Sequence, residues 1–450
     1  MNELEQLLLG RQVTAQEINT PADVLAKIPK IIKRPAIIRQ GNHVLCQRCG
    51  SRLMPKQVLL PNGNYYCPKC LMLGRLTSTQ SLYSIKEVNA FGKYQQNPLT
   101  WQGKLSPYQQ RVAQKLIVFS QQSGDHLLWA VTGAGKTEMT FYMLADALKK
   151  QKRVCFAAPR IDVIGELLPR MQAAFATTPI ACLTGKSPEK YRYTQFVLCT
   201  THQLLRFYHA FDLMIIDEVD AFPFLGNKML SYASLKALKQ GGSRLLMTAT
   251  PDSTLLKAFK AKTDRSEYLP LRFHQHPLPV PKIICRKHLR EDLRQNKLSP
   301  VFKNKLQDFV KEGYPFLIFV PKIALLKPLE KLIKQVIPAS CAGTTVYAND
   351  AERLTKVKAL REEKLTFLIT TTILERGVTF PKLNVLIFLA DDVNFNMPAL
   401  VQIAGRVGRS SQRPDGQVIF LCEHLTCKVK KAKQQIMLLN RKAKKMKKDE

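Results

Sequence analysis

The stretch AVTGAGKT, Ala130–Thr137, combines the residue types that a loop needs in order to bind phosphate groups. Gly133 and Gly135 tolerate positive φ, so the loop can turn its backbone amides toward an anion at the start of a helix. Lys136 offers a positive charge to the β and γ phosphates, and the hydroxyl of Thr137 is an oxygen ligand of the kind that Mg²⁺ prefers. The sequence therefore predicts a site for ATP with Mg²⁺. Its predicted lining residues are Thr132, Gly133, Ala134, Gly135, Lys136 and Thr137.

Two adjacent carboxylates follow the largely apolar run Phe211–Ile216 further along the chain. A carboxylate at the end of a buried strand is costly unless it is ionised beside a cation. Phosphate-loop hydrolases divide the work between two such residues. Asp217 is therefore predicted to hold Mg²⁺, and Glu218 to orient or deprotonate the attacking water. For this pair alone, the alternative is an exposed turn without catalytic function.

Four cysteines have the spacing of a zinc site. Two C-x2-C pairs, separated by 17 residues, consist of Cys46, Cys49, Cys67 and Cys70. Each pair can present two thiolates to one cation, and the spacing is typical of tetrahedral zinc. Apolar residues at 58–60 and 65–66 flank Pro61–Asn64, which predicts a β-hairpin and hence a zinc ribbon. Two redox-active pairs are the alternative, whereas the other seven cysteines show no regular spacing and fit a reducing cytosol.

These residues need elements to position them, and the hydrophobic pattern predicts two blocks in which strands alternate with helices. The predicted strands lie at 127–131, 154–158, 196–199, 213–216 and 245–247 in the first block and at 316–320, 367–371, 385–390 and 418–421 in the second. This alternation is typical of βαβ units, and therefore of parallel sheets that are covered on both faces. Pro270–Pro281 contains four prolines, which cannot continue a helix or a central strand, so a domain boundary is placed there.

The predicted fold class is α/β, with two parallel-sheet domains in tandem after a small N-terminal region that contains the zinc ribbon. The predicted divisions are an N-terminal segment (1–40), the ribbon (41–76), a first domain (100–270), a second domain (282–425) and a basic tail (428–450). The tail carries ten lysines and arginines and is predicted to be a partly helical, solvated arm.

The charge balance predicts a polyanionic partner. Lysine and arginine number 69 against 34 acidic residues, which gives a net charge of +35, while the 45% apolar content is normal for a folded chain. Nucleic acid is favoured over anionic lipid because no amphipathic basic helix dominates the sequence. Glu3 and Glu5 stand where an export signal needs positive charge, and no apolar run is long enough to span a membrane. A protein without a transmembrane segment is therefore expected.

The order of the motifs resembles that of superfamily two helicases and translocases. AVTGAGKT is similar to motif I, DEVD at Asp217–Asp220 to motif II and Thr248–Thr250 to motif III. In the second block TTTILERGVTFP is similar to motif V, and QIAGRVGR, Gln402–Arg409, to motif VI. The resemblance implies two RecA-like domains that close on ATP and reopen after hydrolysis, so that each cycle can advance a strand.

The same resemblance implies roles for individual residues. Arg406 and Arg409, one turn apart on a predicted helix, are implied to reach the γ phosphate as arginine fingers. Gln402 joins them as a catalytic residue, and Gly377 joins the nucleotide-binding residues. Gln109 in LSPYQQ is similar to a glutamine that recognises adenine. The residues implied to contact the nucleic acid backbone are Arg160, Thr201 and Thr371.

The combination of an N-terminal four-cysteine ribbon with this helicase core resembles the ComFA family of late competence proteins over essentially the whole chain. DEVDAFP, Asp217–Pro223, and TTTILERGVTFP also fit that family. The resemblance implies an ATP-driven motor that pulls single-stranded DNA inward at the cytoplasmic face of the DNA-uptake channel. Other competence proteins are its implied partners there, the zinc site is implied to aid folding or a partner contact, and oligomerisation stays open.

Three alternatives remain at this point. The replication-restart helicase PriA has a similar helicase core, but its cysteine cluster is inserted within the second helicase half. In this sequence Cys46–Cys70 precede the phosphate loop. An ATP-gated scaffold that binds DNA without moving along it would need the same motifs. Zinc-dependent binding without catalysis is the third alternative. The residues that argue against it are the intact Lys136, Asp217, Glu218, Arg406 and Arg409.

Overall fold

The computed structural model describes residues 2–185 and 191–448. Met1 of the predicted N-terminal segment, and Asp449 and Glu450 of the predicted tail, lie outside the described residues. The chain divides into two compact units. The first consists of Met1–Trp129 and Thr137–Glu267, and the second of Ala130–Lys136 and Tyr268–Glu450. Most of AVTGAGKT therefore groups with the second unit, although it follows a strand of the first.

Short elements build the N-terminal region of the first unit. They are α1 (Glu3–Leu8), α2 (Ala22–Ala26), β1 (Ile32–Pro35), β2 (Ile37–Gln40), β3 (His43–Cys46), β4 (Arg52–Leu53), α3 (Pro55–Val58) and β5 (Ser81–Ser84). Strand β1 pairs antiparallel with β5, and β2, β3 and β4 form a small antiparallel sheet. The predicted hairpin is confirmed in a minimal form, because a single antiparallel bridge joins Leu59 to Tyr65.

A parallel sheet with helices forms the rest of the first unit. Its elements are α4 (Pro107–Gln121), β6 (Gly124–Ala130), α5 (Lys136–Met139), α6 (Phe141–Lys149), β7 (Val154–Ala158), α7 (Ile161–Ala174), β8 (Ile180–Leu183), β9 (Phe196–Thr200), β10 (Phe211–Ile216), α8 (Lys228–Ala237), β11 (Leu238–Thr248) and α9 (Ser253–Phe259). The strands run in the order β6-β11-β10-β7-β9-β8, and every one of these neighbouring pairs is parallel. Strand β12 (Ser266–Leu269) spans the division between the units.

The central strands explain why the sequence reads as continuous apolar runs. All residues of β7 and β9 are buried, and β10 is buried except for the half-buried Asp212. Strands covered by helices on both faces need apolar side chains on both faces, which gives runs rather than alternation. The predicted parallel sheets are thus confirmed. Phe207 and Phe211 also share one hydrophobic cluster with the four cysteines, so the N-terminal region packs on this sheet.

A second parallel sheet forms the core of the second unit. Its elements are β13 (Lys282–Cys285), α10 (Leu289–Arg294), α11 (Pro300–Glu312), β14 (Phe316–Phe319), α12 (Leu326–Lys334), β15 (Gly343–Val346), α13 (Arg353–Arg361), β16 (Phe367–Thr370), β17 (Asn384–Phe388), α14 (Met397–Ala404), β18 (Val418–Cys422) and α15 (Cys427–Lys448). The strand order is β13-β18-β17-β14-β16-β15, with parallel pairing throughout. Fully buried Phe309, Phe316 and Phe367 lie in its core.

The C-terminal residues form a packed helix rather than the solvated arm that the sequence predicts. Helix α15 buries an apolar stripe, which consists of Val429, Ala432, Ile436, Leu439 and Ala443. This stripe packs on the rest of the second unit, with α14 as a main contact, while most of the lysines are exposed. The three- and four-residue spacing of the stripe is that of one helix face. Among the described residues, no helix has the length and apolar character needed to cross a membrane.

Candidate functional site

The phosphate loop leaves β6 and leads into α5. Gly133 and Gly135 have φ of 77° and 76°, backbone angles that residues with a Cβ rarely adopt. The ammonium of Lys136 donates to the carbonyls of Ala130 at 3.1 Å and Val131 at 3.4 Å, so the loop curls around its own lysine. Helix α5 begins at Lys136. This is the loop shape that the sequence predicts for a phosphate site.

The acidic pair follows β10, whose neighbours in the sheet are β7 and β11. Asp217 is buried, and its amide donates to the carbonyl of Ala157 at 2.9 Å, at the end of β7. The carboxylate of Asp217 in turn accepts from the amide of Glu218 at 2.8 Å. Glu218 has a φ of 52°, so the chain turns sharply at the second acid. Strand β10 thus delivers both carboxylates to the carboxyl end of the sheet.

The third acid of the DEVD stretch has a separate set of contacts. Asp220 is buried and accepts from the hydroxyl of Thr248 at 2.7 Å and from that of Thr250 at 2.5 Å. The hydroxyl of Thr248 also accepts from the amide of Thr250 at 3.0 Å. These bonds fasten the loop after β10 to the loop after β11. The sequence singled out both stretches as motifs but gave no signal that Asp220 joins them.

Gln109 caps a helix in the structure. Its side-chain carbonyl accepts from the amide of Ser106 at 2.9 Å, and its own amide donates to the hydroxyl of Ser106 at 3.4 Å. These reciprocal bonds form a capping box at the N-terminus of α4. Gln109 is buried, so its side chain is held in place before any ligand binds. The adenine-recognition role stays a prediction.

The residues implied to grip nucleic acid follow the ends of strands. Arg160 comes after β7 and precedes α7, and Thr201 comes directly after the neighbouring β9. Arg160 is half-buried, whereas Thr201 is fully buried, so a strand could reach Thr201 only if that segment opened. Thr371 is half-buried and follows β16 in the second unit. Strand ends are where parallel sheets usually bind ligands.

The arginine motif lies in a turn rather than on a helix, and the predicted helical placement of Arg406 and Arg409 is wrong. Helix α14 ends at Ala404, and Gly408 takes a φ of 67° that a helix cannot contain. Both arginines nevertheless reach one loop. Arg406 donates to the carbonyl of Val378, and Arg409 donates to the hydroxyl of Thr379 at 3.3 Å.

This loop directly follows another predicted site residue. Gly377 has a φ of 70°, which turns the chain toward the two arginines. Gln402 is buried on α14, three residues before the turn begins. Motifs V and VI are therefore in contact within the second unit.

The four cysteines form one cluster. Their sulfur atoms all lie within 4.8 Å of one another, with 3.7 Å between Cys46 and Cys70 and 3.6 Å between Cys49 and Cys67. A tetrahedron of sulfurs about 2.3 Å from zinc has edges of about 3.8 Å. All four side chains are buried. The donor set and its spacing therefore fit a structural zinc ion.

Hydrogen bonds among the four thiols shift their pKa values. Contact with the thiol of Cys46 lowers the pKa of Cys49 and raises the pKa of Cys70. A bound Zn²⁺ ion would favour the thiolate form of all four, because the thiolate is the metal ligand.

Charged residues tie the cluster to the first sheet. The ammonium of Lys236, on α8, donates to the carbonyl of Arg48 at 2.5 Å and to that of Leu205 at 3.1 Å. Burial lowers the pKa of Lys236 to about 7. Arg48 pairs with Glu17, and Arg206 pairs with the same carboxylate at 2.8 Å. Although burial opposes it, these two arginines lower the pKa of Glu17.

A glycine after the first cysteine pair allows a close approach to the same helix. Gly50 has a φ of 69°, and a Cβ placed there would lie 2.8 Å from the ring of Tyr232 on α8. The cysteine knuckle and α8 are thus in direct contact, and a side chain at this position would push them apart.

Comparison with known proteins agrees with these elements. Residues 102–253 match the family model for the type III restriction enzyme res subunit, and residues 301–411 match that for the helicase conserved C-terminal domain. Residues 1–84 match the N-terminal domain of competence protein ComFA. Dbp5 of S. cerevisiae, bound to RNA and ADP BeF3, shares the fold with a TM-score of 0.56 at 17% identity. That match covers 74% of this chain and 88% of Dbp5.

The fold and the ordered motifs define a superfamily two helicase-like protein with two RecA-like domains in tandem, and such domains imply a nucleotide hydrolase. Competence protein ComFA of Streptococcus pneumoniae (strain ATCC BAA-255 / R6) is 40% identical over 435 residues, which cover 97% of this chain and 98% of that one. ComFA of Bacillus subtilis (strain 168) is 39% identical over 424 residues, covering 93% and 91%. The chain belongs to the ComFA family of competence proteins.

Proposed function

We propose that this protein is an ATP-driven motor that pulls incoming single-stranded DNA into the cytoplasm during natural transformation. The observation that carries the proposal is the placement of the motifs: the phosphate loop follows β6, the acidic pair follows β10 and Thr248–Thr250 follows β11. These are neighbouring parallel strands in the order β6-β11-β10, so their carboxyl ends form one ligand-binding edge. Membership of the ComFA family supplies the biological setting.

ATP with Mg²⁺ would supply the phosphoryl group and the metal charge, and the residues of this chain fit both. Lys136 would neutralise the β and γ phosphates, and the hydroxyl of Thr137 with the carboxylate of Asp217 would hold Mg²⁺. Glu218 would orient the attacking water and accept its proton. Gln109, already fixed by its capping bonds, would contact the adenine.

The second domain would contribute the charge that stabilises the transition state. Arg406 and Arg409 would face the γ phosphate as arginine fingers, with Gln402 positioned beside them on α14. Gly377 would let the motif V loop approach the nucleotide. Loss of the γ phosphate would remove what the arginines bind, and the site would relax.

DNA would bind through its phosphates, without readout of base sequence. The net charge of +35 favours any polyanion, and the half-buried Arg160 and Thr371 follow strand ends where a backbone could lie. Thr201 would join them only if its segment opened. We place the protein in the cytoplasm, at the inner face of the membrane, where other competence proteins would hand over the strand. The zinc site would hold the N-terminal region in shape.

The ATPase rate tests the partner class and the enzymatic activity together. Single-stranded DNA should raise the rate more than RNA or duplex DNA of equal length, and the apparent DNA affinity should fall at least about 10-fold between about 50 and 200 mM salt, because phosphate contacts release counterions. Lys136→Ala should remain folded and lose hydrolysis. Normal turnover in Lys136→Ala, or a rate that no nucleic acid changes, would overturn the assignment.

Movement along DNA needs its own measurement, because a static clamp would also hydrolyse ATP. The protein should displace a tightly bound block from one end of a single strand, with ATP and not with a non-hydrolysable analogue. Glu218→Gln is the matched control, since it should bind ATP and DNA but leave the block in place. ATP hydrolysis without displacement from either end would instead support the scaffold.

A further inference from the structure

The turn that carries the two arginines is held by a third, buried arginine. Arg272 donates to the carbonyl of Gly408 at 2.5 Å and, from its other terminal nitrogen, to those of Val407 at 2.7 Å and Gly405 at 3.2 Å. The turn after α14 leaves these carbonyls without helical partners, and a cation at a helix C-terminus satisfies them. His274 adds a contact to the carbonyl of Gly408 at 3.0 Å.

The segment that carries Arg272 also contacts the phosphate loop within the same unit. The amide of Phe273 donates to the carbonyl of Gly133 at 2.9 Å, and the carbonyl of Leu269 accepts from the amide of Val131 at 3.1 Å. A Cβ on Gly133 would lie 3.7 Å from the Arg272 side chain. One short stretch, Leu269–His274, therefore touches the phosphate loop with its backbone and the arginine turn with its side chains.

Arg272 is a buried cation whose terminal nitrogens donate to the arginine turn. Its side chain is only 2% exposed, and Arg409 is the charged side chain in the described part of the chain that acts on it. Burial and then the nearby charge of Arg409 lower the pKa of Arg272 to about 9. An apolar side chain of similar volume would leave the buried carbonyls of the turn without this donor. What only a guanidinium can do here is to bind three carbonyls with one rigid group.

We propose that Arg272 is a positioning residue that fixes the turn Gly405–Arg409 and thereby sets where Arg406 and Arg409 point. The catalytic part of this inference rests on the proposed ATP hydrolysis. The structural part does not, because it concerns only the order of the turn. Since the same segment touches Gly133, a change in the phosphate loop would also be transmitted to the turn.

Kinetics of Arg272→Gln test the catalytic part. The kcat for ATP hydrolysis should fall by about 10²-fold, the loss typical of a misplacement of about 1 Å, while the KM for ATP changes much less. Arg272→Lys should recover only part of the loss, because one ammonium cannot reach three carbonyls. Arg290→Gln is the matched control: its guanidinium also lies in the second unit but pairs with Glu423 and Asp392, and its kcat should stay normal.

A double-mutant comparison separates positioning from general damage. In an Arg406→Ala, Arg409→Ala background, Arg272→Gln should lower kcat by no more than about 2-fold, because the groups it positions are gone. A full further loss of kcat, or a wild-type kcat in the single variant, would overturn the catalytic part.

Amide hydrogen exchange tests the structural part without any need for hydrolysis. Arg272→Gln should speed exchange at Gly405–Arg409 by at least about 10-fold relative to Arg290→Gln, with the melting temperature of both variants recorded. Unchanged exchange at this turn would overturn the proposal even if the wild type hydrolyses ATP. If Arg272→Gln exchanges faster at this turn but the wild type hydrolyses no ATP, the proposed function fails and the positioning role stands.

Discussion

Three acidic residues within four positions have different environments in this protein. Asp217 is buried beside the end of β7, Glu218 stands at a left-handed backbone position, and Asp220 is bound to two threonine hydroxyls. Their residue type is nearly the same, so only their partners distinguish them. Glu218 is therefore the candidate for chemistry, while Asp220 is the acid that links two loops.

Paired isosteric substitutions should separate these two roles. Glu218→Gln should keep the unfolding free energy and ATP binding of the wild type and lose turnover, because the amide cannot accept a proton. Asp220→Asn should lower the unfolding free energy by about 1–3 kcal/mol, because the amide cannot accept from both hydroxyls of Thr248 and Thr250. Urea unfolding and single-turnover hydrolysis provide the two readouts. A Glu218→Gln variant with normal kcat would remove the water-activating role.

The four-cysteine cluster packs directly against α8 and the first sheet. Cysteines of the cluster share a hydrophobic core with Phe207 and Phe211, Gly50 lies against Tyr232, and Lys236 donates to the backbone of Arg48. The region around the four cysteines therefore packs on the first sheet and shares its core. Loss of a bound metal ion should therefore lower the stability of α8 as well as that of the cysteine-containing region.

Replacing Cys46 and Cys49 together with serine should release one zinc ion per chain and destabilise the N-terminal hundred residues and α8, because the ligands and their core positions are lost together. Elemental analysis gives the metal content, and hydrogen exchange gives the extent of unfolding. Cys285→Ser is the control, since Cys285 is exposed and distant in sequence from the cluster. Zinc content that stays the same in the double variant would contradict the assignment, as would loss in Cys285→Ser.

At the scale of the whole molecule, the C-terminal helix closes the second unit. Helix α15 packs against α14, which leads into the arginine turn. Asn440 binds both backbone groups of Leu278 at 2.8 Å, and Lys447 donates to the carbonyl of Gln275 at 2.7 Å. The last helix therefore holds the proline-rich segment that follows Arg272.

Two neighbouring leucines on α15 provide a matched test. Leu439→Ala should destabilise the second unit by about 2–5 kcal/mol, because it leaves a cavity under the helix. Leu438→Ala should change the unfolding free energy by no more than about 0.5 kcal/mol, since Leu438 is 48% exposed while Leu439 is 2% exposed. Urea unfolding of both variants gives the comparison. Equal and small losses would mean that the helix is the solvated arm that the sequence predicts.

Much of the fold could be predicted because its signals are local. Fully buried parallel strands read as apolar runs, and predicted strands such as 154–158 and 316–320 match β7 and β14 within one residue. The edge strands β15 and β8 were not predicted. Strand β15, Gly343–Val346, is a short stretch with two threonines, and β8 is equally short. An edge strand needs less apolar surface, so its sequence does not differ from that of a loop.

The sequence by itself determined the four-cysteine cluster, the phosphate loop, the acidic pair and the family, because each depends on residue types at short, fixed spacing. Only the tertiary structure decided that Asp220 joins Thr248 and Thr250, that α14 stops before Arg406, and that Arg272 holds the arginine turn. Those contacts join residues 28, 30 and more than 130 positions apart. No local sequence pattern predicts such a contact, because it depends on how separate elements pack when they bury their apolar faces.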